Sequence, residues 1–177
     1  MNETWIHAET LYQGKIFSVK VGRVRLDNGA ESHREIVLHG GGVGIVPVLG
    51  DRVVLVRQFR IAVGKDVLEL PAGRLEPGED PRRRAEAELE EETGYRAARL
   101  EHVASCYCSP GFTNERDEIY IAYELEKTQQ DLESDEHVEI VEVTADEAAR
   151  LLDNLEIEDA KTVIGLREWL MRRDRRP

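Results

Sequence analysis

Glu86, Glu88, Glu90, Glu91 and Glu92 fill five of seven consecutive positions, a density of carboxylates that suits a hard divalent cation. In a helix, Glu88, Glu91 and Glu92 stand at i, i+3 and i+4 and crowd one face. A solvated surface helix is the ordinary fate of such a charge run. Two features oppose it here. The glutamates lie in the C-terminal half of the predicted helix, where the peptide dipoles disfavour negative charge, and each like-charged pair costs a few tenths of a kcal/mol. Across the run and the four residues after it, Arg96 is the only base. A cation with oxygen ligands would neutralise that face, and Mg2+ would complete its shell with water and substrate phosphates.

The elements around this segment are readable from turn and cap residues. The stretch 68–81 (LELPAGRLEPGEDP) reads as a strand end and a structured loop, with Pro77-Gly78 at the centre of a type II turn. Asp80 before Pro81 is an N-cap with proline at the first helical position. The helix should run to about Thr93, with Gly94 as a left-handed C-cap. Before it, β-branched segments 15–26, 34–38, 43–49 and 52–60 are separated by Asn28-Gly29, Gly40-Gly41-Gly42 and the hairpin turn Gly50-Asp51. After it come strands at 99–108 and 118–126 around a loop at 109–116, then an acidic loop at 131–137 and a strand at 138–143. Helices at 145–153, capped by Thr144, and at about 158–173, with Ile164, Leu166, Trp169 and Leu170 apolar, close the chain. Residues 1–177 show no internal repeat or linker and read as a single domain.

The charge balance, 36 acidic against 24 basic residues for a net −12, repels nucleic-acid backbones. A small phosphorylated substrate would need cations supplied locally. No apolar run reaches the length of a membrane span, and the first ten residues lack a secretory pattern, so no membrane association and a cytoplasmic location are expected. Cys106 and Cys108, two apart on a strand, read as buried, inert thiols.

The spacing Gly73, five residues, Glu79, seven residues, Ala87, then Glu88-Leu89-Glu90-Glu91-Glu92-Thr93-Gly94-Tyr95 resembles the 23-residue signature box of Nudix hydrolases. Every fixed position matches except Ala87, where the family has an arginine understood to hold the catalytic carboxylates by ion pairing. Arg84, at i−4 from Glu88 and i−7 from Glu91, is the candidate replacement. Further segments resemble the ADP-ribose pyrophosphatase branch and its nucleotide-sugar relatives: Val56–Arg60, Leu68–Gly73, Ser109–Thr113 with Pro110 fifteen residues past Tyr95, and Ile157–Thr162. The resemblance implies an α+β fold, a Nudix-type α/β/α sandwich on a mixed β-sheet. An N-terminal antiparallel β-region (about 1–40) would pair two subunits into a homodimer, and 41–177 would form the catalytic core.

It also implies site roles. Glu88 and Glu92 would be the main ligands of about two or three Mg2+ ions, with Mn2+ as a substitute, Glu91 sharing a cation and the Ala72 carbonyl completing the site. The general base would come from the acidic loop, Glu136 first and Glu133 second. Arg60, Arg57, Glu69 and Gly111 would contact a nucleoside-diphosphate substrate. Arg57 and Arg60 lie on opposite faces of one strand, so a purely solvent-exposed role stays open for either, and Glu69 could instead face water. The implied reaction cuts ADP-ribose to AMP and ribose 5-phosphate. GDP-mannose or UDP-glucose hydrolysis, or a non-catalytic sensor on the same fold, are the alternatives.

Overall fold

The computed structural model describes residues 2–132 and 137–174, which fall into two compact units. The first, Met1–Gly41 with Tyr107–Arg116, is built on three antiparallel strands in the order β1 (Glu3–Gln13), β2 (Phe17–Leu26) and β3 (Glu31–His39). The loop 109–116 clips onto β3: the Val37 amide donates to the Phe112 carbonyl at 2.7 Å, and the His39 amide donates to Asn114 Oδ1 at 2.9 Å. Strand β1 begins well before residue 15, where the sequence reading first named a strand. Register shifts between Trp5 and His7 and between Thr10 and Tyr12 break its alternation, so no period of two is visible.

The second unit, Gly42–Cys106 with Asp117–Pro177, carries a seven-stranded mixed sheet. Its strands are β4 (Gly42–Leu49), β5 (Arg52–Arg60), β6 (Lys65–Glu69), β7 (Ala72–Arg74), β8 (Tyr95–Tyr107), β9 (Arg116–Lys127) and β10 (Glu139–Thr144), in the order β10-β5-β4-β9-β8 with β6 on β5 and β7 on β4. β4 runs parallel to β9 and antiparallel to β5 and β7. The three helices are α1 (Pro81–Thr93), α2 (Ala145–Asp153) and α3 (Ala160–Asp174).

Double-sided burial of the central strands makes this a sandwich. Val43 and Ile45 of β4 and Tyr120 and Ala122 of β9 pack with Ala85 and Leu89 of α1. The alternate residues Val46, Ile119 and Ile121 pack with Ala145, Ala148 and Leu152 of α2 and with Leu166 and Trp169 of α3. A sheet with helices on both faces, together with a separate antiparallel sheet, is the predicted fold class. The helix bounds near the glutamates also match: Asp80 accepts from the Arg82 amide, and Gly94 closes α1 at φ 68°. α3 starts two residues later than expected, because Asp159 accepts from Thr162 N–H and holds the entry to the helix. The expectation of two buried thiols fails: Cys106 is half-buried against the core and Cys108 is exposed.

α3 sits close to the sheet because Gly165 has no side chain. A β-carbon there would lie 2.6 Å from Leu70 Cδ1 and 2.8 Å from Val46 Cγ2, both on fully buried side chains. Gly165→Ala should therefore overpack the core by about 1–3 kcal/mol, which for a chain of this size lowers the thermal midpoint by roughly 5 °C. Calorimetry checks it, and an unchanged midpoint would show that the helix shifts at no cost.

Candidate metal and substrate site

α1 presents its carboxylates in two sorts. Glu86 and Glu90 pair with bases, Arg82 at 3.2 Å and Arg96 at 2.9 Å. Glu88 and Glu92 are only 5% and 4% exposed. Burying a carboxylate demands compensation, and the surrounding backbone supplies part of it. Glu92 Oε2 accepts from the Ala72 amide at 2.9 Å. Glu88 lies against the backbone of Gly73, so closely that a β-carbon there would fall 1.4 Å from Glu88 Oε1. Any residue but glycine would displace that carboxylate. The guanidinium of Arg84 pairs with Glu88 and reaches Glu91 at 3.8 Å. Burial lowers the pKa of Arg84, but Glu88, Glu91 and Glu79 outweigh it and hold the proton.

The helix end that the dipole makes negative is satisfied by the chain that follows β9. The Asp131 amide donates to the Glu91 carbonyl at 3.0 Å, Gln130 Nε2 to the Glu92 carbonyl at 2.6 Å, and the Thr128 amide to the Gly94 carbonyl at 2.7 Å. The predicted turn at Pro77-Gly78 forms, with the Glu79 amide on the Glu76 carbonyl at 3.0 Å, and Glu79 Oε2 accepts from the Glu76 amide. The box glutamate at 79 therefore orders the loop ahead of the helix. Glu88, Glu91 and Glu92 stand at i, i+3 and i+4 on α1, and carboxylate oxygens are the donor type that suits a hard cation such as Mg2+ or Mn2+.

A second group of charges centres on Glu69, which is 3% exposed. Arg60 donates to it through Nε at 2.8 Å and Nη2 at 2.9 Å, and Lys161 Nζ donates at 2.8 Å. Lys161 also donates to Asp159 at 2.9 Å, and Thr162 Oγ1 accepts from the Leu70 amide at 2.8 Å. Burial pushes the Glu69 carboxyl up, but the Arg60 hydrogen bonds and the Lys161 charge hold it below the usual glutamate range. Burial likewise lowers Lys161, but Asp159 and Glu69 raise it above its ordinary value. Glu69 is thus engaged by the protein's own cations, and Arg60 and Lys161 line a cleft of about 430 Å³ with Val63, Lys65 and Asp159.

Glu92 meets the Ala72 amide, Arg84 links Glu88 with Glu91, and Arg60 pairs with Glu69. Arg57 is on the opposite face of β5, exposed and paired with Glu139 at 3.2 Å. Gly111 belongs to the other compact unit, in the loop held by β3. Glu133 and Glu136 fall outside the described residues. Lys161 and Asp159 are partners that sequence reading did not single out. Lys161 meets Glu69 from 92 residues away with Asp159 behind it, and the local signal was an aspartate three residues before a threonine at a helix start.

A model of the NUDIX domain matches residues 38–165. The chain is 40% identical to an ADP-ribose pyrophosphatase of Bacillus subtilis over 169 residues, 94% of this chain and 91% of the relative. It is 41% identical to a methanol dehydrogenase activator of Bacillus methanolicus over 167 residues, 93% and 90% of the two chains. A crystal structure of an ADP compounds hydrolase superposes with a TM-score of 0.86 over 99% of this chain and 98% of the other, at 24% identity, which bears on fold.

Glu69→Gln should destabilise the protein at neutral pH by about 2–3 kcal/mol, less than for a wholly buried pair because Arg60 is partly exposed. A depressed carboxyl stabilises fully above its unfolded pKa of about 4.5 and loses that contribution as pH falls through the lower folded value. Urea unfolding should show the gap between wild type and Glu69→Gln narrowing below that pH. A gap independent of pH would mean that Glu69 is not the linked group.

Proposed function

The chain belongs to the NUDIX domain family, and from that membership we propose that it hydrolyses the pyrophosphate bond of ADP-ribose to AMP and ribose 5-phosphate with Mg2+. The observation that carries the chemistry is the placing of Glu88, Glu91 and Glu92 at i, i+3 and i+4 along α1, two of them buried. The substrate rests on identity along almost the whole chain to a relative that bears the name ADP-ribose pyrophosphatase. Nudix hydrolases generally need a divalent metal. In this reading Glu88 and Glu92 hold the metal, Glu91 shares it and the Ala72 carbonyl completes its shell. A divalent cation held by these residues would supply positive charge against the pyrophosphate and lower the pKa of a water.

The protein's own groups do the rest. Arg60, fixed by two hydrogen bonds to Glu69, offers its charge to the diphosphate, while Glu69 aims Arg60 rather than touching the substrate. Gly111 and Arg57 are weaker candidates for substrate contact. Glu136, with Glu133 second, takes the proton from the attacking water. The net −12 charge argues against a nucleic-acid partner, and a nucleotide-derivative substrate goes with a cytoplasmic setting. Exposed Trp5, Leu11, Tyr12 and Phe17 of the N-terminal strands support a homodimer.

Incubation with Mg2+ and, separately, ADP-ribose, GDP-mannose and UDP-glucose, followed by phosphorus NMR, decides the substrate. AMP and ribose 5-phosphate should form fastest. Preferred cleavage of a nucleotide sugar would move the assignment to that branch, and no cleavage of any would favour a sensor. Glu136→Gln should remove most turnover and leave substrate affinity nearly intact; full turnover would shift the base elsewhere. Sedimentation should give twice the 20.1 kDa chain mass, and a monomer would remove the dimer from this reading.

A further inference from the structure

Arg84 is not placed as a surface ion pair on a helix would be. Its side chain is 29% exposed against 52% for Arg82, two residues earlier and paired with Glu86 on the outside. Its Nε lies buried with no hydrogen-bond partner among the described residues. An exposed pair such as Arg82–Glu86 serves helix stability without that desolvation. What the inward position adds is reach: one guanidinium amine to Glu88 Oε1 and the other to Glu91 Oε2.

Glu88 Oε1 is then pinned from two sides, by Arg84 and by the Gly73 backbone, which leaves no space for the carboxylate to swing back. Glu92 is fixed independently by the Ala72 amide. The carboxylates that depend on Arg84 are Glu88 and Glu91. We propose that Arg84 is a positioning residue that holds Glu88 and Glu91 in the arrangement in which they take a divalent cation. Position 87, three residues on, is alanine and opens into a cleft of about 850 Å³ lined also by Glu90, Glu91, Lys127 and Asp131. An arginine placed there would have room, and would stand at i−4 from Glu91.

The inference rests on the reading of Glu88 and Glu91 as metal ligands, and its test is separable from the substrate. Mn2+ binding by the substrate-free protein, followed by electron paramagnetic resonance, should weaken about 10–100-fold in Arg84→Ala. Arg84→Lys keeps the charge on one prong and should fall between. Arg82→Ala should stay within about twofold of wild type, since its partner Glu86 lies outside the site. The double variant Arg84→Ala/Ala87→Arg should regain about tenfold over Arg84→Ala, a recovery that a merely structural role would not give. With Mg2+ and ADP-ribose, Arg84→Ala should lower kcat with little change in KM. Equal Mn2+ affinity in wild type and Arg84→Ala overturns the proposal. If Arg84→Ala fails to fold, wild-type affinity in Arg84→Lys together with no gain in Ala87→Arg overturns it. Wild type that binds Mn2+ but leaves ADP-ribose intact would sink the proposed substrate and leave the Arg84 comparison standing.

Discussion

The contact between the Glu88 carboxylate and the bare Cα of Gly73 is the constraint on which the site depends. It joins a helix to a three-residue strand at a distance that admits no side chain, and both partners must be fixed for it to hold. Gly73 is fixed because β7 pairs with β4, Gly73 opposite Val43, and β4 is in turn paired with β9. Glu88 is fixed because Ala85 and Leu89, one residue after it, are sealed into the core between α1 and the sheet. The backbone that carries the carboxylate is therefore fixed by apolar packing, and Arg84 acts on the side chain from that base.

Charge in the second unit is arranged by depth. At the surface, acids meet bases in exposed pairs that contribute little to stability, as Arg57–Glu139 and Arg96–Glu90 do. Deeper, Glu69 is saturated by Arg60 and Lys161, so the cleft it underlies has a fixed pattern of donors and acceptors rather than a net charge. On α1, Glu88 and Glu91 share the half-buried Arg84. The proposed cation would therefore lie on α1 and not at Glu69, whose charge is already met by Arg60 and Lys161.

Legibility in the sequence followed the range of the interactions. Caps and turns are local, and Asp80, Pro81, Gly94, Thr144 and the Gly50-Asp51 hairpin sit where their residue types place them. The box spacing is also local, and it carried Glu88, Glu91 and Glu92 to one face of α1. The i, i+4 rule was enough to pair Arg84 with Glu88. The role of Glu69 was not legible, because its fate depends on Lys161 at the start of α3 and on the burial both share. Of β6 only the end near 68 was legible, and β7 was hidden because it has three residues in a Pro- and Gly-rich stretch that reads as loop. Strand β1 was hidden for the opposite reason, being long but out of phase with itself.

The same phase slips in β1 have a consequence for solubility. Among the described residues β1 forms the outer edge of the N-terminal sheet, eleven residues long and apolar in places, a length that invites templated growth by other chains. The bulges at Ile6 and Leu11 interrupt the edge into short runs, so an incoming extended chain cannot keep register along it. Straightening them by deleting Ile6 and Leu11 would give a smoother ladder, and a protein more prone to fibrous association than the irregular strand allows.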